Sequence, residues 1–333
     1  MAEAYQTIEV RHPRFPLATF PTPLERAQHL EAALAPGTPG GMPRIYLKRD
    51  DLLSLGMGGN KVRNLEFAIG QALAESATEV VTSGRQQSNH CRLTAAACAR
   101  AGLGVHVVLS GREPASFTGN LLLGRLLGST IHFVGSDDRA VRQQMVSDVA
   151  REIAQAHGRP YVIPVGGSDA RGALGHALAA EELLRQCDAL GERLGALVLA
   201  TATGGTQAGM LAGLRRLGSD APIYGFAVAK SAPELAFDVL RMANEVSRAI
   251  GGRPLQAPDV IVDGSCLGEG YGAPTLEGQR AIEVLARSEG VFADPVYTGK
   301  ALAGLFAFVR EGRLRPGDCV VFLHTGGTPA LFA

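Results

Sequence analysis

Short runs of β-branched and aliphatic residues recur along the chain, separated by longer stretches in which alanine and leucine return at helical spacing. The short runs predict strands at Arg44–Lys48, Glu79–Thr82, Val105–Leu109, Ile131–Val134, Tyr161–Ile163, Leu197–Ala200, Ile223–Val228 and Val320–His324. The longer ones predict helices, among them Asn89–Ala101, Ala140–Ala156, Gly172–Arg185, Thr206–Leu217, Ala232–Ile250 and Leu276–Ser288. The strand segments are continuously apolar, the pattern of parallel sheets covered by helices on both faces. Strand–helix alternation of this kind argues for an open α/β fold. No linker-like, repetitive or low-complexity segment interrupts it, so two domains, if present, are closely joined. Ligands of such sheets sit at the carboxyl ends of strands, in the loops that lead into helices.

Composition narrows the function. With 32 basic and 32 acidic residues the formal net charge is zero, so there is no basic excess to hold a phosphate backbone, and nucleic acid is not an expected partner. No apolar run reaches the roughly 18 residues needed to cross a bilayer, and the N-terminal stretch lacks the layout of a secretory signal. The five cysteines are spread out and form no CxxC pair, which fits reduced thiols of a cytoplasmic protein. Metal motifs, a nucleophile elbow, a P-loop and a G-x-G-x-x-G fingerprint are all absent from the sequence. Two oddities stand out: 42 glycines in 333 residues, and only four lysines, Lys48, Lys61, Lys230 and Lys300.

Four strand-to-helix segments concentrate glycine and polar residues. In the first, Gly56-Met-Gly-Gly-Asn-Lys-Val-Arg63 delivers Asn60 and Lys61 to a helix start. The positive end of a helix favours a neutral, nucleophilic amine there, which suits a Schiff-base lysine; an exposed lysine in an ordinary capped turn also satisfies the spacing. In the second, Ser83-Gly-Arg-Gln-Gln-Ser-Asn-His90 precedes an alanine-rich helix. Capping explains either Ser88 or Asn89, while the two together with His90 exceed what a cap requires. In the third, Thr201-Ala-Thr-Gly-Gly-Thr206 ends a buried strand and opens a helix. Its free amides, with the hydroxyls of Thr203 and Thr206, can cradle a phosphate, and no P-loop lysine accompanies them. The fourth is C-terminal and comprises Gly268–Gly272, Asp294–Lys300 and His324–Thr328, with Tyr271 and Tyr297 in polar turns.

Taken in order, Lys48-Arg-Asp-Asp-Leu, Gly58-Gly-Asn-Lys-Val-Arg63, Gln87-Ser-Asn-His90, Gly204-Gly-Thr206, Asp294-Pro-Val-Tyr-Thr298 and His324-Thr-Gly-Gly327 resemble the pyridoxal-phosphate enzymes of the tryptophan-synthase-β fold. Within that superfamily the chain resembles the D-cysteine desulfhydrase and 1-aminocyclopropane-1-carboxylate (ACC) deaminase family, from about residue 15 to the C-terminus. The resemblance implies two open, mostly parallel sheets, the smaller domain (residues 64–173) inserted into a larger cofactor-binding one (1–63 and 174–333). It implies pyridoxal 5′-phosphate as cofactor, a small amino acid as substrate, and a homodimer.

Residue by residue, the resemblance makes Lys61 the Schiff-base lysine and Asn60 its neighbour. Asn89 would bond the cofactor's phenolic oxygen, and Ser88 with the adjacent turn, including His90, would hold the substrate carboxylate. Thr201, Ala202, Thr203, Gly204, Gly205 and Thr206 would bind the phosphate. Tyr271 and Tyr297 would line the substrate pocket, and Thr298, with Thr325 close by, would meet the pyridine nitrogen. ACC deaminases typically carry glutamate where this chain has Thr298, and a neutral residue favours β-elimination over ring opening. The expected reaction is elimination from D-cysteine to pyruvate, hydrogen sulfide and ammonia. The alternatives are release of sulfite from L-cysteate, and ACC deamination to 2-oxobutyrate and ammonia. Two departures from the family pattern remain: Ala202 replaces a glycine, and Arg85 stands where relatives have a small or apolar residue. Arg85 is either a contact for an acidic substrate side chain or a solvated loop arginine.

Overall fold

Along the larger sheet, successive side chains feed two different cores. Leu197, Leu199, Val321 and Leu323 pack on one face, and Ala196, Val198, Val320 and Phe322 on the other. Both faces are covered, which is why the strands read as unbroken apolar runs. The computed structural model describes residues 7–38 and 40–333. Its strands are β1 (Leu24–Arg26), β2 (Arg44–Arg49), β3 (Glu79–Gly84), β4 (Gly104–Leu109), β5 (Thr130–Phe133), β6 (Pro160–Val162), β7 (Leu194–Thr201), β8 (Ile223–Ala227), β9 (Ile261–Asp263) and β10 (Cys319–His324). Its helices are α1 (Gln28–Leu34), α2 (Lys61–Ala74), α3 (Asn89–Ala101), α4 (Gly119–Leu126), α5 (Arg139–Gln155), α6 (Ala170–Ala189), α7 (Gly205–Arg216), α8 (Ala232–Ala249), α9 (Leu276–Glu289) and α10 (Thr298–Arg310).

Six strands form the larger sheet in the order β1-β2-β10-β7-β8-β9, parallel except for β1 against β2. The smaller sheet, β5-β4-β3-β6, is wholly parallel. All four of its strands fall between β2 and β7 in sequence, so its chain segment interrupts the larger sheet. The expected ends of that insertion, at 63/64 and 173/174, lie inside α2 and α6 and not in linkers. These two helices pack so closely that a Cβ on Gly175 would lie 2.2 Å from the Arg63 carbonyl oxygen.

Elements the pattern did not reveal have physical reasons. β1 is three residues with two exposed charges, and β9 is only three residues long. α10 is buried on nearly all sides, so it carries no polar stripe to give it a 3.6-residue period.

Glycine also sets the contact between α6 and α7. A Cβ on Gly209 would lie 2.1 Å from the Ala173 carbonyl oxygen, inside any permissible contact. Gly209→Ala is therefore expected to destabilise the protein by about 1–3 kcal/mol through overpacking. Urea denaturation checks it, and an unchanged midpoint would mean that the helices can separate freely.

Among the described residues no helix is long and apolar enough to cross a membrane, and no group of His, Cys, Asp or Glu is placed to hold a metal ion. All five cysteines are free.

Candidate active site

The turn after β2 is built so that only glycine fits. At Gly58, with φ +73°, a Cβ would fall 2.0 Å from the Asp51 carbonyl oxygen. Gly59 donates its N–H to the Asp50 carbonyl (3.1 Å), and Asn60 donates its own to the carbonyl of Thr325 (3.0 Å). The Asn60 side chain donates to the Thr206 hydroxyl at 2.8 Å. One turn is thus bonded to α7, 146 residues away, and to the segment beyond β10, farther still along the chain. Lys61 follows as the first residue of α2 and makes no hydrogen bond or ion pair among the described residues. Burial lowers its ammonium from the usual lysine range to about 8, because the charged form loses its hydration.

At the end of β7, α7 begins abruptly. Its first helical bond runs from the Ala208 N–H to the Gly204 carbonyl (2.9 Å), which leaves the preceding amides without helical acceptors. Gly204 sits at φ +87° with Val239 behind it, and a Cβ on Gly205 would lie 3.0 Å from Ser168 Oγ. Any side chain there would press into the packing behind the turn. Thr206 accepts from Asn60, so its own proton remains to be given, whereas Thr203 shares a hydrogen bond with Ser168. Thr201 contributes by shape alone, since its hydroxyl donates to Gln207.

Across the cavity, Ser88 caps α3 by accepting from the Cys91 N–H at 3.3 Å. Asn89 is oriented by Asn120, whose amide donates to Asn89 Oδ1 at 3.0 Å, with Arg92 at 3.5 Å. The Asn89 NH₂ is left as a donor for a ligand oxygen. Thr82 gives its proton to the Ile163 carbonyl, so His90 Nε2 must donate to Thr82 (2.8 Å). Burial and the neighbouring Lys61 charge push His90 down to about 3. It is a neutral ring that braces the turn while bordering the cavity.

Tyr271 and Tyr297 hydrogen-bond through their hydroxyls, with ring centroids 5.8 Å apart. Burial raises both phenols above the usual tyrosine value, so both stay protonated at neutral pH. The loop carrying Tyr271 hangs from Lys300, which is fully buried in α10 and donates to the carbonyls of Leu267 (2.8 Å) and Gly270 (2.9 Å). Arg85 lies over the Tyr271 ring, 5.0 Å from its centroid.

All of the expected site residues except Thr298 border one cavity of about 300 Å³. Thr298 is fully buried. Its hydroxyl donates to Asp294 Oδ1 at 2.6 Å and accepts from the Asp294 N–H at 2.8 Å, so its proton is already committed. Thr325, whose hydroxyl has no partner among the described residues, does line the cavity. Nothing in the residue spacing pointed to Arg139 and Arg142, which α5 also brings to the wall. Asn120 was likewise unmarked, whereas Lys300, one of four lysines and close to Thr298, carried a legible signal.

Comparison with known proteins agrees with this geometry. Residues 16–326 match the family described as pyridoxal-phosphate dependent enzyme. The D-cysteine desulfhydrase of Klebsiella pneumoniae (strain 342) is 38% identical over 329 residues, covering 97% of this chain and 96% of the relative. The D-cysteine desulfhydrase of Salmonella typhi is 38% identical over 331 residues, with the same coverage. The crystal structure of an ACC deaminase homologue superimposes with a TM-score of 0.87 at 32% identity, covering 97% of this chain and 94% of that one. A threonine deaminase of known crystal structure, at 19% identity and TM-score 0.65 with 92% of each chain covered, shares the fold. The chain belongs to the pyridoxal-phosphate-dependent enzymes.

Proposed function

We propose that this enzyme catalyses α,β-elimination from a small amino acid, with D-cysteine giving pyruvate, hydrogen sulfide and ammonia. The observation that carries the reading is Lys61: a half-buried, unpartnered amine that lines the same cavity as the open amides of α7 and the Tyr271–Tyr297 pair. Pyridoxal phosphate fits the residues present. The glycine cradle and free amides at Thr203–Thr206 suit its phosphate, the Asn89 amide its phenolic oxygen, and Thr325 its ring nitrogen. When bound, the cofactor supplies the electron sink that stabilises negative charge at the substrate's Cα.

The chain's own groups divide the remaining work. With the cofactor held there, Lys61 would be the group that accepts the Cα proton. The tyrosines, held protonated by burial, act as donors toward the departing sulfur and not as bases. Ser88 and the start of α3 hold the carboxylate. Among the described residues no aspartate or glutamate lines the cavity, so none of them offers a carboxylate on its wall to keep the ring nitrogen protonated. That favours loss of a good β leaving group over opening of a cyclopropane ring, and the D-cysteine desulfhydrase relatives support the same choice.

A substrate panel tests the proposal. D-Cysteine is expected to give pyruvate and sulfide in equal amounts, and 2-oxobutyrate from ACC would overturn it. The lowered lysine adds a pH signature. At pH 7 about a tenth of Lys61 is neutral, so capture of the cofactor by apoenzyme accelerates with pH up to about 8 and then levels. A rate still climbing through pH 9 would show an ordinary, solvated lysine.

We also assign the two sheets to two domains, residues 64–173 against 1–63 and 174–333, and a cytoplasmic homodimer as the working form. Sedimentation equilibrium tests the dimer.

A further inference from the structure

The cavity wall has a marked charge imbalance. Among the described residues it is bordered by Arg85, Arg139, Arg142 and Lys230 and by no acidic side chain. Lys230 pairs with Asp238 at 2.6 Å, but the three arginines make no ion pair among the described residues. Arg142 has only a neutral partner, donating to the Ser110 hydroxyl. Elsewhere the chain neutralises such groups. Buried Arg63 has Asp50 and Glu182, and Arg49 has Asp51 and Glu25. Arg85 and Arg139 lie close enough to Arg142 to oppose its charge, and burial does so more strongly. Three arginines converging on a partly enclosed cavity, none of them ion-paired among the described residues and Asp137 the one carboxylate near enough to favour the Arg142 charge, make a site for an anion.

Arg139 and Arg142 also border a neighbouring pocket with Thr203 and Lys230, so Arg85 is the residue that sets this site apart from the phosphate cradle at Thr203–Thr206. The Arg85 carbonyl accepts the Ser88 N–H (3.0 Å), and its guanidinium covers the Tyr271 ring, so it belongs to the substrate side of the cavity. Arg142 reaches Ser110, at the end of β4 in the smaller sheet.

We propose that Arg85 and Arg142, with Arg139 at the rim, form a second anion subsite that admits, besides D-cysteine, amino acids carrying a tetrahedral oxyanion, a sulfonate or phosphate, at the β-position. The proposal rests on the elimination reading above and extends its substrate class. For a sulfonate, Lys61 takes the Cα proton and the Cβ–S bond breaks with its electron pair on sulfur, giving sulfite. Water then hydrolyses the released enamine to pyruvate and ammonia.

The test compares holoenzyme with Arg85→Ala and Arg142→Gln on both enantiomers of cysteate, O-phosphoserine and the neutral β-chloroalanine. Loss of a charge-assisted contact is expected to lower the cysteate-to-chloroalanine ratio of kcat/KM by about tenfold or more. Sulfite or phosphate release identifies which oxyanion is used. A binding arm stands apart from turnover. The unreactive 3-sulfopropanoate is expected to bind at least about tenfold more tightly than propanoate, a preference weakened by salt and lost in Arg85→Ala. Equal binding of the two acids, or a parallel loss on charged and neutral substrates, would overturn the subsite. Weaker retention of the cofactor by Arg85→Ala, with the substrate ratio unchanged, would reassign the arginines to the cofactor's phosphate. Pyruvate from chloroalanine without an anion preference would sink the subsite alone. No pyruvate from any substrate would sink the elimination reading, and 3-sulfopropanoate binding would still decide the subsite.

Discussion

Lys61→Ala is expected to lower turnover by about 10²–10⁴-fold, the usual contribution of a positioned proton acceptor. It should also abolish covalent retention of the cofactor after borohydride treatment. The other three lysines cannot substitute. Lys48 is tied to Glu182, Thr22 and Gln186, Lys230 to Asp238, and Lys300 to two carbonyls. The phosphate cradle at α7 is untouched by the change, so the variant should still bind cofactor reversibly. Mass spectrometry of the reduced protein and its peptides checks this directly. A cofactor adduct on any other lysine would remove Lys61 from its assigned role.

Asp50→Ala is expected to cost up to about 3–5 kcal/mol of stability, the penalty for removing one partner of a buried ion pair, with Glu182 left as the second partner of Arg63. Asp50 is fully buried and accepts from Arg63 Nε (2.8 Å), Arg63 Nη2 (2.7 Å) and the Thr22 hydroxyl (2.9 Å). Burial works to raise its carboxyl, but Arg63, Lys48 and these hydrogen bonds together hold it below the ordinary value. A depressed carboxylate contributes stability above its unfolded pKa, and that contribution is lost as the pH falls through the folded value. The wild type should therefore lose stability steeply below about pH 4, and the variant less so. Urea titrations from pH 3 to 7 measure both effects. A loss under about 1 kcal/mol at pH 7 would show that Glu182 alone compensates Arg63. The effect reaches the site, because the Asp50 carbonyl holds the Gly59 N–H one residue before Asn60.

The sheet and most helices were legible because burial on both faces leaves a repeating apolar signal, and α3 begins and ends where its spacing predicted. α10 was not legible, since a helix enclosed on nearly all sides has no polar face to set its period. Among the site residues, Lys61 was marked by its glycine turn and by the scarcity of lysine. His90 was legible as a position and not as a role. Only the Thr82 and Ile163 partners show that it is a neutral brace. Thr298 likewise reads as a cofactor contact until Asp294 is seen to hold its proton.

The sequence by itself determined the α/β architecture, the cofactor class and the turns that bear the chemistry, because each is encoded within a few consecutive residues. Tertiary structure decided which free valences those turns present. Asn120 from α4 orients Asn89, Lys300 from α10 suspends the Tyr271 loop, and α5 brings Arg139 and Arg142 to the rim. Such choices depend on the packing of elements far apart in the chain, where residue spacing carries no signal, and they set the charge the substrate must complement.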